Sequence, residues 1–204
     1  MAFPTIRSSR ASYAASTTIQ YPATVNAGDI LLWFGAAPIT SAQSGWVLLA
    51  DGGDSANAVV QYKIANGTEG GTTFTASTGY YGSTILAIDS GGALPVASAA
   101  PSVAADTPNP PALTPAGGAQ DYLWLIWGYA LDTHFVAPHT QPSGFTALHS
   151  VSGMAVSYQN LNASTLDPAA WGDSDAISNY MFAATAAIAF IPSASNNLFF
   201  GSNF

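Results

Sequence analysis

Three histidines, His134, His139 and His149, are the only side chains in the sequence that ordinarily titrate near neutral pH. Together with Asp132 they supply the base and the orienting carboxylate that would activate a serine hydroxyl. The elbow that commonly presents such a serine, Gly-x-Ser-x-Gly, is nowhere in the chain. As metal ligands the same histidines are spaced by five and ten residues (134 to 139, 139 to 149) across a proline-containing loop, which fits no compact ligand pattern. Loop hydrogen bonds or interface contacts are the simpler role for them.

Sugar hydrolysis needs two facing carboxyl groups, one with a raised pKa. The single glutamate, Glu69, stands in the run Asn66, Gly67, Thr68, Glu69, Gly70, Gly71 and reads as part of a hairpin connection. Asp173, Ser174 and Asp175 resemble a fragment of a calcium loop, but the glycine and distal glutamate that complete one are missing. Asn66-Gly67-Thr68 and Asn162-Ala163-Ser164 match the glycosylation acceptor pattern and read as turns. No catalytic, cofactor-binding or metal-ligating residue is assigned, and the chain reads as a non-enzyme.

Aromatic side chains are the remaining candidates, because Trp and Tyr make platforms for sugars and anchors for protein partners. Trp33, Trp124 and Trp127 lie inside apolar runs and are expected in the core. Tyr80 and Tyr81, in the glycine-flanked loop Thr78-Gly79-Tyr80-Tyr81-Gly82, are the candidate ligand contacts.

The elements that must position these residues are strands. One Glu and one Lys in 204 residues leave almost none of the material of amphipathic helices, while β-branched and aromatic residues recur in short runs between Gly, Pro, Asn and Asp. Ten strands are expected: 12–21, 29–36, 46–50, 58–65, 72–76 and 83–88, then 122–131, 145–150, 154–161 and 179–191. Runs such as Ile30 to Phe34 and Leu123 to Trp127 are apolar throughout, which calls for cover on both faces of a sheet. Val60, Tyr62 and Ile64 alternate with Gln61 and Lys63, the pattern of a strand with one solvated face. The expected fold is all-β, an antiparallel β-sandwich of jelly-roll type.

The two sets of strands look like copies of each other. Asp29 matches Asp121 before an apolar run, Ser44-Gly45-Trp46 matches Ser143-Gly144-Phe145, and Val59 to Tyr62 resembles Val156 to Gln159. An internal duplication accounts for this. Between the sets, 94–120 carries Pro95, Pro101, Pro108, Pro110, Pro111 and Pro115 and cannot form an inner strand. It is either an interdomain linker or a crossover on one sandwich. The second is preferred because each half, 12–93 and 121–192, gains by sharing a core. The expected organisation is an N-terminal arm 1–11, one sandwich domain 12–192 and a C-terminal arm 193–204.

Composition narrows the partners. Charged residues are 7% of the chain and the formal net charge is −8, with Arg7, Arg10 and Lys63 the only cations. Nucleic acid and an anionic membrane surface both attract Lys and Arg, so neither is an expected partner. Absence of cysteine excludes disulfides and thiolate sites and suits assembly in a reducing cytoplasm. No signal-peptide core stands near Met1, and the longest apolar stretch, 180–191, is too short to span a bilayer. Isolated soluble proteins rely on interspersed surface charge, so a surface this poor in charge suits a protein covered by copies of itself or by other subunits.

The order Gly28-Asp29 with its apolar strand, Ser44-Gly45-Trp46, Tyr62 to Glu69, Pro110 to Pro115, Leu123-Trp124, Leu161-Asn162-Ala163, Asp167-Pro168-Ala169 and a closing apolar strand resembles a family of phage-encoded β-sandwich proteins of the virion. The resemblance covers roughly residues 28–192 and carries no catalytic residue across. It implies a head decoration or a tail or fibre component, made in the host cytoplasm and resident in the virion. Its implied partners are other virion proteins and further copies of itself, a trimer by analogy. A host-attachment module that binds surface glycan through Tyr80 and Tyr81 is the alternative. Burial of an aromatic side chain contributes about 1.5–3 kcal/mol and an exposed ion pair about 0–1 kcal/mol. The expected interface is therefore Leu198, Phe199, Phe200 and Phe204 docked on a neighbour, assisted by Arg7 and Arg10.

Overall fold

The computed structural model describes residues 2–13, 16–36, 42–51, 58–80, 82–102, 107–130, 139–151, 153–172 and 181–191, without the side chains of 58, 78–80 and 99–102. Among them there are twelve strands and no helix. The fold is all-β, with two five-stranded antiparallel sheets packed face to face.

The first sheet is built from β1 (Thr5–Ser12), β3 (Ile30–Ala36), β4 (Val47–Asp51), β5 (Ala58–Ile64) and β7 (Gly82–Asp89), in the order β1-β7-β3-β5-β4. Strands β2 (Ser16–Gln20) and β6 (Thr73–Tyr80) pair separately. The second sheet takes β8 (Val96–Ser102), β9 (Gln120–Ala130), β10 (Thr146–Val151), β11 (Met154–Ala163) and β12 (Met181–Ala189), in the order β8-β12-β9-β11-β10.

Both faces of each inner strand are covered, as the unbroken apolar runs require. On β3, Ile30, Leu32 and Phe34 enter the core between the sheets, opposite Leu123, Leu125 and Trp127 of β9. Phe34 and Trp127 stack across that core with ring centroids 5.9 Å apart. The other face of β3, Leu31 and Trp33, packs under Ile19, Tyr21 and Phe74 of the β2–β6 flap. On the second sheet the described residues of the outer layer pair through isolated bridges, Leu113 to Leu166 and Thr140 to Gly172. These lay Leu113, Leu166 and Trp171 over Trp124, Ile126 and Ala187. Trp33, Trp124 and Trp127 are fully buried, as their sequence context requires.

The duplication is visible in the hydrogen-bond register. Val47 faces Tyr62 in one half and Thr146 faces Tyr158 in the other. Ile30 lies between Ile64 and Ile88, as Leu123 lies between Asn160 and Ile188. Even the β-bulge repeats: β4 slips between Leu48 and Ala50, β10 between Ala147 and His149. A bulge is a fixed local twist that positions an edge, and its recurrence at the same place marks two copies of one folding unit. Each sheet comes from one half of the chain, so the strand orders do not bear out a jelly-roll winding, in which strands pass between sheets.

Three readings need correction. The N-terminal arm is largely strand: Thr5–Ser12 is β1, an edge strand on β7. The proline-rich crossover begins as β8, which pairs with β12 at the sheet edge. Prolines are excluded from inner strands but tolerated at edges, and Pro101 is placed accordingly. On β5, Val60 and Tyr62 do face the core, but Gln61 is fully buried because the flap covers the face expected to be wet. Its Oε1 accepts the backbone N–H of Gln43 at 2.7 Å, and Gln43 in turn holds Ser77 of β6.

Candidate functional site

The sheets meet along two seams related by the internal repeat, and the seams differ in chemistry. At the first, β1 lies over β10 and β11. A hollow of about 410 Å³ opens there between Pro4, Ile6, Leu123, Leu148 and Tyr158, with Arg7, Ser8, Ser9 and Asn160 around it. His149 Nε2 meets Ser9 Oγ at 2.8 Å across the seam. Burial pushes the His149 imidazole below its ordinary pKa, and the positive charge of Arg10 pushes it further.

At the second seam, β4 and β5 come within 8 Å of β8, Cα to Cα. The large apolar side chains left in solvent among the described residues divide between two faces. Val47 (50% exposed) and Ile64 (60%) lie on the inter-sheet face of β4 and β5, in register with Tyr62 and Ile30. Leu94 (53%), Val96 (38%) and Ile191 (54%) lie on the outer face beside β8, where Val96 pairs with Ala187. Leu94, Val96 and Ile191 line one hollow of about 250 Å³ with Pro115, Ala187 and Ala189. Singly exposed apolar residues are ordinary, but a contiguous group marks a contact surface. The register gives each strand residue a counterpart at the first seam: Thr146 for Val47, Asn160 for Ile64 and Ser8 for Val96. One unit, used twice, thus differs at these three positions, polar beside the first seam and apolar beside the second, while the hollows at both have apolar walls.

The expected interface residues are placed unevenly. Arg7 is engaged within the chain. Its Nε donates to Asp29 Oδ2 at 2.9 Å, and its Nη2 donates to Asp29 Oδ1 and to Asp89 Oδ2, each at 3.2 Å. Arg10 is exposed on β1 beside His149. Tyr80 closes β6 opposite Ser16, its side chain outside the described set, and Tyr81 lies outside the described residues altogether. So do Leu198, Phe199, Phe200, Phe204, Asp132, His134, Asp173 and Asp175.

The residues weighed for catalysis are tied into structure where they are described. Glu69 accepts the backbone N–H groups of Asn66 and Gly67 and pairs with Lys63 Nζ at 3.1 Å. Burial alone would raise its pKa, but these donors outweigh burial and hold the carboxyl below its usual range. Lys63 also lies 4.7 Å from the Tyr21 ring centroid and 5.6 Å from that of Trp46, an arrangement that stabilises a cation over aromatic faces. His139 is buried with its Nε2 3.0 Å from the Val151 carbonyl oxygen. Among the described residues no three His, Asp or Glu side chains gather as metal ligands, and no helix is long and apolar enough to cross a membrane. Val47 and Ile64 escaped the sequence reading because they sit in strands whose other apolar residues are core. Only the register separates a strand end from its middle.

No protein-family model, no curated protein and no solved structure matches this chain, so the resemblance to phage virion proteins rests on its residues alone.

Proposed function

We propose that this chain is a structural subunit of a tailed-phage particle, a head decoration or a tail or fibre component, that works through contacts with neighbouring subunits and catalyses no reaction. The observation that carries the reading is the exposed apolar hollow of Leu94, Val96 and Ile191 beside β8, on a protein whose surface has few charged residues. At about 25 cal/mol per Å² of apolar surface removed from water, covering such a hollow favours association. Arg7, Lys63, Asp29 and Glu69 are held within the fold and cancel one another, so the formal −8 is carried by other residues, none of which lines this hollow.

The test is co-sedimentation of the purified chain with particles assembled without it. Binding that is retained by the native chain and lost on Leu94→Ser is expected. Binding by neither protein, or equal binding by both, would overturn the reading.

A further inference from the structure

We propose that the apolar hollow beside β8, lined by Leu94, Val96 and Ile191, is the seat for the aromatic C-terminal segment of a neighbouring copy, residues 198–204. This rests on the reading of the chain as an assembly subunit and names its first partner. The segment itself lies outside the described residues; the inference comes from its sequence, from where the described chain stops and from the surface found there.

The described structure stops at Ile191, itself part of the hollow's lining, whose N–H donates to the Ser90 carbonyl at 3.1 Å. Residues 192–197, Pro-Ser-Ala-Ser-Asn-Asn, form a spacer without a large apolar side chain, and Leu198, Phe199, Phe200 and Phe204 follow. An apolar segment therefore issues from an apolar surface, each needing cover. Six residues span at most about 20 Å, a reach that allows Leu198 to meet an adjoining subunit.

Charge points the same way. Each copy bears a formal −8, but residues 192–204 hold no Asp, Glu, Lys or Arg, and no charged residue lines the hollow of Leu94, Val96 and Ile191. A contact confined to this segment and this hollow lets like-charged copies meet without bringing carboxylates together. The hollow beside Leu94, Val96 and Ile191 has room for an aromatic side chain against mostly apolar walls.

The chain has no cysteine, so engineered thiols report without background. Chains carrying Leu94→Cys are mixed with size-tagged chains carrying Phe199→Cys, oxidised and separated without reductant, and the double variant is oxidised alone. A disulfide-linked mixed dimer, lost when Phe200 and Phe204 are changed to Ser, is expected. A cross-link found only within single chains of the double variant would overturn the assignment to a neighbour. No cross-link at all would overturn the seat. If either failure is accompanied by continued co-sedimentation with particles, the seat falls while the structural-subunit reading stands.

Discussion

His149 Nε2 and Ser9 Oγ, 2.8 Å apart, join the edge of one sheet to the edge of the other. The surroundings of this pair favour the neutral imidazole. In the fold the imidazole is held below its ordinary pKa by burial and by Arg10, and no carboxylate among the described residues acts on it. The unfolded chain therefore takes up the proton first as pH falls, and stability falls with it. The contribution is intact above the unfolded histidine pKa of about 6.5 and is lost as pH drops toward the lower folded value. Thermal unfolding followed from pH 7.5 to 5 should show a falling Tm that His149→Asn flattens. An unchanged slope in that variant would contradict the assignment.

Arg7 should matter for stability rather than for contacts. Asp29 is buried and accepts from both Arg7 and the Asn26 backbone N–H. Removing the guanidinium leaves a buried carboxylate short of a donor, a loss of about 1–3 kcal/mol, while the exposed Asp89 pair adds little. Arg7→Ala should lower the urea midpoint, and Asp89→Ala should leave it nearly in place.

Gly91 tests how the last described residues are anchored. It adopts φ of +64°, and a Cβ added there would run into the Ile191 carbonyl. Gly91→Ala imposes both a left-handed backbone on alanine and a backbone clash. A Tm lower by several degrees is expected, together with weaker oligomerisation, because the root of the C-terminal segment is displaced. Gly92→Ala shares the positive φ but meets nothing, so it should show the smaller loss.

Two copies of one unit that share a core should not fold apart. Residues 1–93 and 94–204 each supply one face of the central cluster, Leu32, Phe34 and Leu86 from the first and Leu125, Trp127 and Phe182 from the second. Expressed separately, each half should lack cooperative unfolding, and mixing should restore it. Cooperative unfolding of either half alone would show two independent domains.

Strands whose apolar runs reflect double cover, β3 and β9, were legible from the residues, as were β5, β7, β11 and β12. The edge strands β1 and β8 were not. TIRSSRAS has one large apolar residue and VASAAPS consists of small ones and a proline, because an edge buries less and must discourage stray pairing. The repeat was also visible, since Trp46 and Phe145 follow matching glycines, but its first offset was read one residue short. The register aligns Ile30 with Leu123 and hence Asp29 with Tyr122. Gln61 was set in solvent because alternation reports two unlike faces without saying which is wet. The exposure of Ile64 was invisible for a related reason: it has the same composition signal as Val60, and only position along the sheet separates the exposed one from the buried one.

The central claim, that this chain exists to be packed against other subunits, is tested most directly by imaging particles assembled with and without it. A defined piece of head surface, tail or fibre missing from the second set, and restored by adding the chain, is the predicted result. Identical particles in both sets, with the chain free as a lone monomer, would contradict it.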